Sequence, residues 1–117
     1  MSKPTSPLPA KADEKENEAR QRQLLGYLAD LLERQLEKLR KYDLDGAVRL
    51  AEESQRVSEQ VAREGLLERP CYASQKQKIQ GLYQDVCLII ASQRQEVAEK
   101  LRQIREGIRT LARYAEQ

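Results

Sequence analysis

The chain has no histidine, tryptophan or phenylalanine, and aromatic residues make up only 4% of its 117 positions. Without histidine there is no imidazole to act as a general base or to complete a zinc set. The two cysteines, Cys71 and Cys87, are 16 positions apart and form no CxxC pair, so reduced thiols are the simplest expectation. Glycine-rich phosphate loops and Ser/His pairs are missing as well. No catalytic residue, cofactor or metal is therefore expected, and the chain reads as a non-enzyme.

An excess of one charge is also lacking: 21 basic residues against 19 acidic ones leave a net charge of +2. Such a balance supplies no strong field for steering nucleic acid or anionic lipid, which argues against a nucleic-acid partner. The longest apolar run, Val86 to Ala91, is far too short to span a bilayer. Pro4, Pro7 and Pro9 punctuate the opening segment, which contains no apolar stretch of the kind a secretory signal needs. A soluble, cytoplasmic protein without membrane insertion is the expectation.

What remains is helix-forming material. Charged residues make up 34% of the chain, and Glu, Lys, Arg, Gln, Leu and Ala dominate it, the composition of long helices and coiled coils. Residues 1–23, Pro-rich at the start and polar thereafter, predict a disordered or frayed tail, because nothing in them would hold a helix against a core. Residues 24–117 form the predicted helical bundle domain. Its first helix carries Leu25, Leu28, Leu32 and Leu39, with Leu24, Leu31 and Leu36 widening the stripe enough to meet two neighbours. Near Tyr42 it should end in a tight reversal, Asp43-Leu44-Asp45-Gly46, where Asp accepts backbone N–H bonds as a cap.

A second helix then places Leu44, Ala47, Val48, Ala51, Val61 and Ala62 at helical spacing, interrupted by Ser54 and Ser58. Gly65 suits a left-handed C-terminal cap, Pro70 stops continuation, and residues 66–73 read as a connector. Ser74 with Gln77 matches a capping box that opens a third helix. Along it Ile79, Leu82, Val86, Ile90, Gln93, Val97, Leu101, Ile104, Ile108, Leu111 and Ala115 follow one another at spacings of three and four, a heptad-like seam. The predicted fold is all-α: an antiparallel up-down-up three-helix bundle or coiled coil with a long protruding C-terminal helix.

Helix lengths turn that pattern into a functional expectation. At 1.5 Å per residue the third helix spans about 63 Å and the second only about 32 Å, so the third should pass the Tyr42–Asp45 turn near residue 96 and continue alone. Val97, Leu101, Ile104, Ile108 and Leu111, with Arg105 beside them, form the candidate partner-binding stripe, for a protein client or a second copy of the chain. A bent third helix or a longer first one would make the same stripe ordinary core. Arg102, Arg105, Arg109 and Arg113 share a neighbouring face, interleaved with Glu99 and Glu106 as a solvated helix surface would be. Gly26 and Gly81 come out at similar heights, which allows close approach of the first and third helices, and Gly107 allows the same for a partner. Cys87, next to the seam, reads as a small packed hydrophobe, whereas Cys71 near Arg69 has no further activating neighbour.

Two stretches carry a family likeness. Tyr42-Asp43-Leu44-Asp45-Gly46-Ala47 leads into Leu50-Ala51-Glu52-Glu53, and Leu101-Arg102-Gln103-Ile104-Arg105-Glu106-Gly107 is followed by Leu111 and Tyr114. Over roughly residues 24–115 the chain resembles the FlgN/FliT class of flagellar type III export chaperones, departing from it in the Pro-rich start and lying nearer FliT than FlgN in length. The resemblance implies a cytoplasmic chaperone that binds C-terminal helical segments of hook-junction or filament-cap subunits and delivers them to the export apparatus. In that class the last helix contributes to substrate binding. The alternatives from the residues themselves are a self-associating coiled-coil adaptor and an anti-activator that masks a transcription factor with the same surface.

Overall fold

The computed structural model describes the backbone of residues 7–115 and the side chains of residues 13–115. These residues form three α-helices, α1 (Pro7–Arg40), α2 (Leu44–Arg63) and α3 (Ala73–Ala115), with single 3₁₀ turns at Leu66–Glu68 and Pro70–Tyr72 between the last two. The chain is therefore an all-α, up-down-up bundle with a long C-terminal helix. Leu25, Leu28, Leu31, Leu32, Leu36 and Leu39 of α1 are all buried. A stripe that wide faces two directions at once, and α1 accordingly packs against both α2 and α3.

The core has two parts along α1. In the lower one Leu25, Leu28, Leu31 and Leu32 meet Val57 and Val61 of α2, Ile79 of α3, and Leu66 and Tyr72 of the connector. In the upper one Leu36 and Leu39 meet Ala47 and Val86, with Leu82 and Ile89 packed against them. The connector is thus more than a link. Leu66 is fully buried, and the Tyr72 hydroxyl donates to Gln21 Oε1 at 2.9 Å beneath the Arg69 guanidinium, 5.3 Å from the ring centroid.

That contact explains the start of α1. Residues 7–23, expected to be a frayed tail, are helical from Pro7 onward, and proline is tolerated in a first helical turn because its missing N–H has no partner there. Polar side chains rather than apolar ones hold the segment. Gln21 is buried against Tyr72 and Arg69, and Arg20 reaches Glu64 at 2.5 Å. Residues 1–6 of the expected tail lie outside the described residues.

At the α1–α2 reversal Asp43 caps α2, its Oδ1 accepting the Gly46 N–H at 3.0 Å. This hydrogen bond, and then Lys38, hold the Asp43 carboxyl below its ordinary pKa. A Cβ at Gly46 would lie 2.6 Å from Asp43 Oδ2, so only glycine leaves room for the cap. Gly65 ends α2 in the left-handed region at φ 62°, its N–H bonding to Ala62 O at 3.1 Å, as the sequence predicts.

Four expectations need correction. The buried stripe of α2 is Ala47, Ser54, Val57 and Val61, whereas Leu44, Val48 and Ala62 are exposed. Ser54 does not interrupt the seam, because its hydroxyl is satisfied inside it by Ala51 O at 3.1 Å and Gln35 Oε1 at 3.5 Å. Ser74 does not cap α3. The winding already begins at Pro70 after an extended Arg69 (φ −79°, ψ 127°), so Ala73 enters α3 in helical conformation. Cys87 is exposed, turned off the face that Val86 and Ile89 present to α1.

Gly26 and Gly81 do not mediate a close helix approach, since a Cβ at either would meet nothing within 4 Å. Each then retains only the entropic penalty of glycine in a helix. Gly26→Ala and Gly81→Ala should each raise the unfolding free energy by about 0.5–1 kcal/mol, read from urea midpoints at constant m-value.

Candidate functional site

Helix α3 outruns the rest of the molecule. Gln93 is its last partly covered residue, and residues 94–115 are all exposed. The Gln93 side chain donates from Nε2 to the Leu39 carbonyl at the C-terminus of α1, which also accepts the Tyr42 N–H at 3.1 Å. One turn further on, the Tyr42 hydroxyl donates to Glu96 Oε2 at 2.7 Å. These two contacts mark where the bundle ends, at the height obtained by counting residues. The 22 residues beyond Gln93 extend it by about 33 Å.

The expected stripe lies on this free segment. Val97, Leu101, Ile104, Ile108 and Leu111 are between 48% and 71% exposed, and Tyr114 is exposed with them. At 100° per residue they fall on the same side of α3 as the core residues Ile79, Val86 and Gln93. The stripe is the bundle's own core-facing surface carried past the end of the bundle. Ile90, placed in the core by its spacing, is 39% exposed; Ile89 packs in the upper core instead.

Where the free segment leaves the bundle there is an open groove of about 500 Å³. Ile90, Gln93, Arg94, Val97, Ala98 and Leu101 line it from α3, and Leu39, Tyr42 and Leu44 close it from the α1–α2 reversal. Leu44 is free to do so because the α2 seam starts at Ala47. Only Val97 and Leu101 of this groove belong to the stripe singled out by sequence.

Tyr42 is the unusual member. It lies two residues past Arg40, the last residue of α1, at φ 59°, and Asp43 N–H bonds back to Lys38 O at 2.9 Å, an ending that ordinarily takes glycine. For a tyrosine this conformation costs about 1–2 kcal/mol. The residue is 58% exposed and forms a wall of the groove, with its hydroxyl on Glu96. The hydrogen bond from Tyr42, and then the charge of Lys100, keep the Glu96 carboxyl below its ordinary pKa. The contact is therefore intact at neutral pH and is lost as pH falls through that lowered value. Tyr42→Gly should relieve the strained backbone and raise the thermal midpoint by about 4 °C, the equivalent of about 1 kcal/mol. It should also weaken any ligand seated in the groove, an effect that titration calorimetry separates from the gain in stability.

Charge lies on both edges of the stripe, the arginines on one and the Lys100–Glu96 pair on the other. Arg102 pairs with Glu99 at 2.6 Å and with Glu106 at 2.7 Å, on the side of the helix away from the stripe. Among the described residues no ion pair engages Arg94, Arg105 or Arg109. The arginine face expected from sequence thus divides into one neutralised residue and several free ones. A Cβ added at Gly107 would meet nothing within 4 Å, and this glycine lies on the opposite edge of the stripe.

Among the described residues no group of His, Cys, Asp and Glu side chains can hold a metal ion, and no helix is long and apolar enough to cross a membrane. The chain matches none of the family models, curated proteins and solved structures with which it was compared.

Proposed function

We propose that the chain is a non-catalytic, cytoplasmic binding chaperone of the FlgN/FliT type, with α3 as the element that receives a helical client segment. The observation that carries this reading is the continuation of the core seam into water from Val97 to Leu111. Fully burying each of these five side chains contributes roughly 1.5–3 kcal/mol before the costs of association. A partner helix laid along α3 would occupy the place that α1 and α2 vacate, with its end against Tyr42 and Leu44. That is helix-in-groove recognition, and it requires of the partner only an apolar stripe of similar length.

The export assignment rests on the resemblance of the reversal and of the terminal segment to that class of chaperones. Its clients would be the C-terminal helical segments of hook-junction or filament-cap subunits. The test is titration calorimetry of the purified chain against those subunits, intact and with the C-terminal helix removed. Binding to an intact subunit, lost on truncation, supports the assignment. Failure to bind any of these subunits overturns it.

A further inference from the structure

The free part of α3 also carries a record of what kind of helix can lie on it. In heptad terms Leu101 and Ile108 occupy a positions and Val97, Ile104 and Leu111 occupy d positions. The flanking e positions are then Ala98, Arg105 and Ala112, and the g positions are Gln93, Lys100, Gly107 and Tyr114. No acidic residue occupies either flank. The three glutamates of the segment are turned elsewhere: Glu99 and Glu106 hold Arg102 on the outer side, and Glu96 is engaged by Tyr42 and by Lys100 at 3.5 Å.

This arrangement opposes pairing with a second copy. In a parallel dimer each g position meets the following e position of its partner, which sets Lys100 against Arg105, and the a position at Arg94 meets its own equivalent at the rim of the groove. In an antiparallel dimer e faces e and g faces g, so Arg105, which no ion pair engages, finds no opposite charge, and Lys100 keeps only the Glu96 of its own chain. Flanking charges set partner choice in such interfaces, and unlike charges are required of whatever binds.

We infer that the occupant of the stripe is an amphipathic helix of another protein whose flanks are acidic, with Arg94 and Arg105 as the residues that select it. This rests on the docking reading above and narrows the chemistry of the partner. An acidic residue at the end of that helix would meet Arg94 at the groove, and one about three turns along would meet Arg105.

Two labelled peptides of about three heptads test this, both with Leu and Ile at a and d, one with Glu and the other with Lys at every e and g position. Their binding to the full chain is read by fluorescence anisotropy at low and high salt. The Glu peptide should bind at least about tenfold more tightly than the Lys peptide, with the difference shrinking as salt is added. Arg94→Glu combined with Arg105→Glu should reverse the order while the circular dichroism melt stays in place. The wild-type chain should remain monomeric by light scattering across a concentration series. Equal affinities would overturn the charge assignment and leave the docking reading standing, and no binding of either peptide would overturn both. A stable wild-type dimer abolished by Leu101→Asp would show that the stripe takes a second copy after all.

Discussion

Replacing Leu32 by alanine should lower the unfolding free energy by about 2–5 kcal/mol, the cost of removing a large aliphatic side chain from a site that cannot collapse around the gap. Leu32 is 0% exposed and belongs to the lower core, where α1 meets both of its neighbours. A cavity there weakens two interfaces together, because α2 and α3 are joined chiefly through α1. The urea midpoint should fall with little change in m-value, since the truncated core still unfolds as one unit. The helical signal at low temperature should persist if enough stability remains, which makes the midpoint the quantity to measure.

Leu101→Asp together with Ile108→Asp should produce the opposite pattern: an unchanged urea midpoint and at least about a hundredfold loss of client affinity. Both side chains are already exposed, at 48% and 61%, so a carboxylate there meets water in the free protein. In a complex the same carboxylates would have to be buried against apolar client surface, at several kcal/mol each unless they become protonated or find a partner. The comparison with Leu32 discriminates because leucine is lost in both experiments. A midpoint that dropped as far for the stripe variant as for Leu32→Ala would show that the stripe packs within the molecule in solution. Preserved binding with a preserved fold would remove the stripe from the site.

Residues whose role is set by local geometry were legible in the sequence. Asp43 caps the helix it precedes, Gly65 takes the left-handed position, and the leucines of α1 are buried where a 3.6-residue period puts them. The height at which α3 leaves the bundle followed from arithmetic on helix lengths, and the contacts of Gln93 and Glu96 lie there. Roles that depend on distant partners were not legible. Ser54 looks like an interruption until Gln35 and Ala51 are seen to satisfy it, and Gln21 looks like tail until Tyr72 and Arg69 arrive from the connector. Leu66 and Tyr72 carry no periodic signal, because two short 3₁₀ turns bury them rather than a regular helix.

Of the candidate site, the stripe was visible and the groove was not. Its closing wall depends on the register of α2, which frees Leu44, and on a backbone conformation that tyrosine rarely adopts. The departure from glycine at position 42 was the available signal: a helix that ends in the left-handed region with a bulky aromatic residue retains that residue at a cost.

The solitary stretch of α3 has a kinetic and thermodynamic consequence. Beyond Gln93 its backbone hydrogen bonds have no packing behind them, and an isolated helix of this length in water is governed by helix–coil equilibrium rather than by cooperative unfolding of the bundle. Gly107 weakens it further in mid-segment. Amide hydrogens after residue 93 should therefore exchange with solvent orders of magnitude faster than those of Leu28 to Leu39, and faster still toward Tyr114. A bound client would slow them, drawing part of its binding free energy into winding the receptor. Affinity would then depend on temperature and on helix propensity at outward-facing positions that the client never touches.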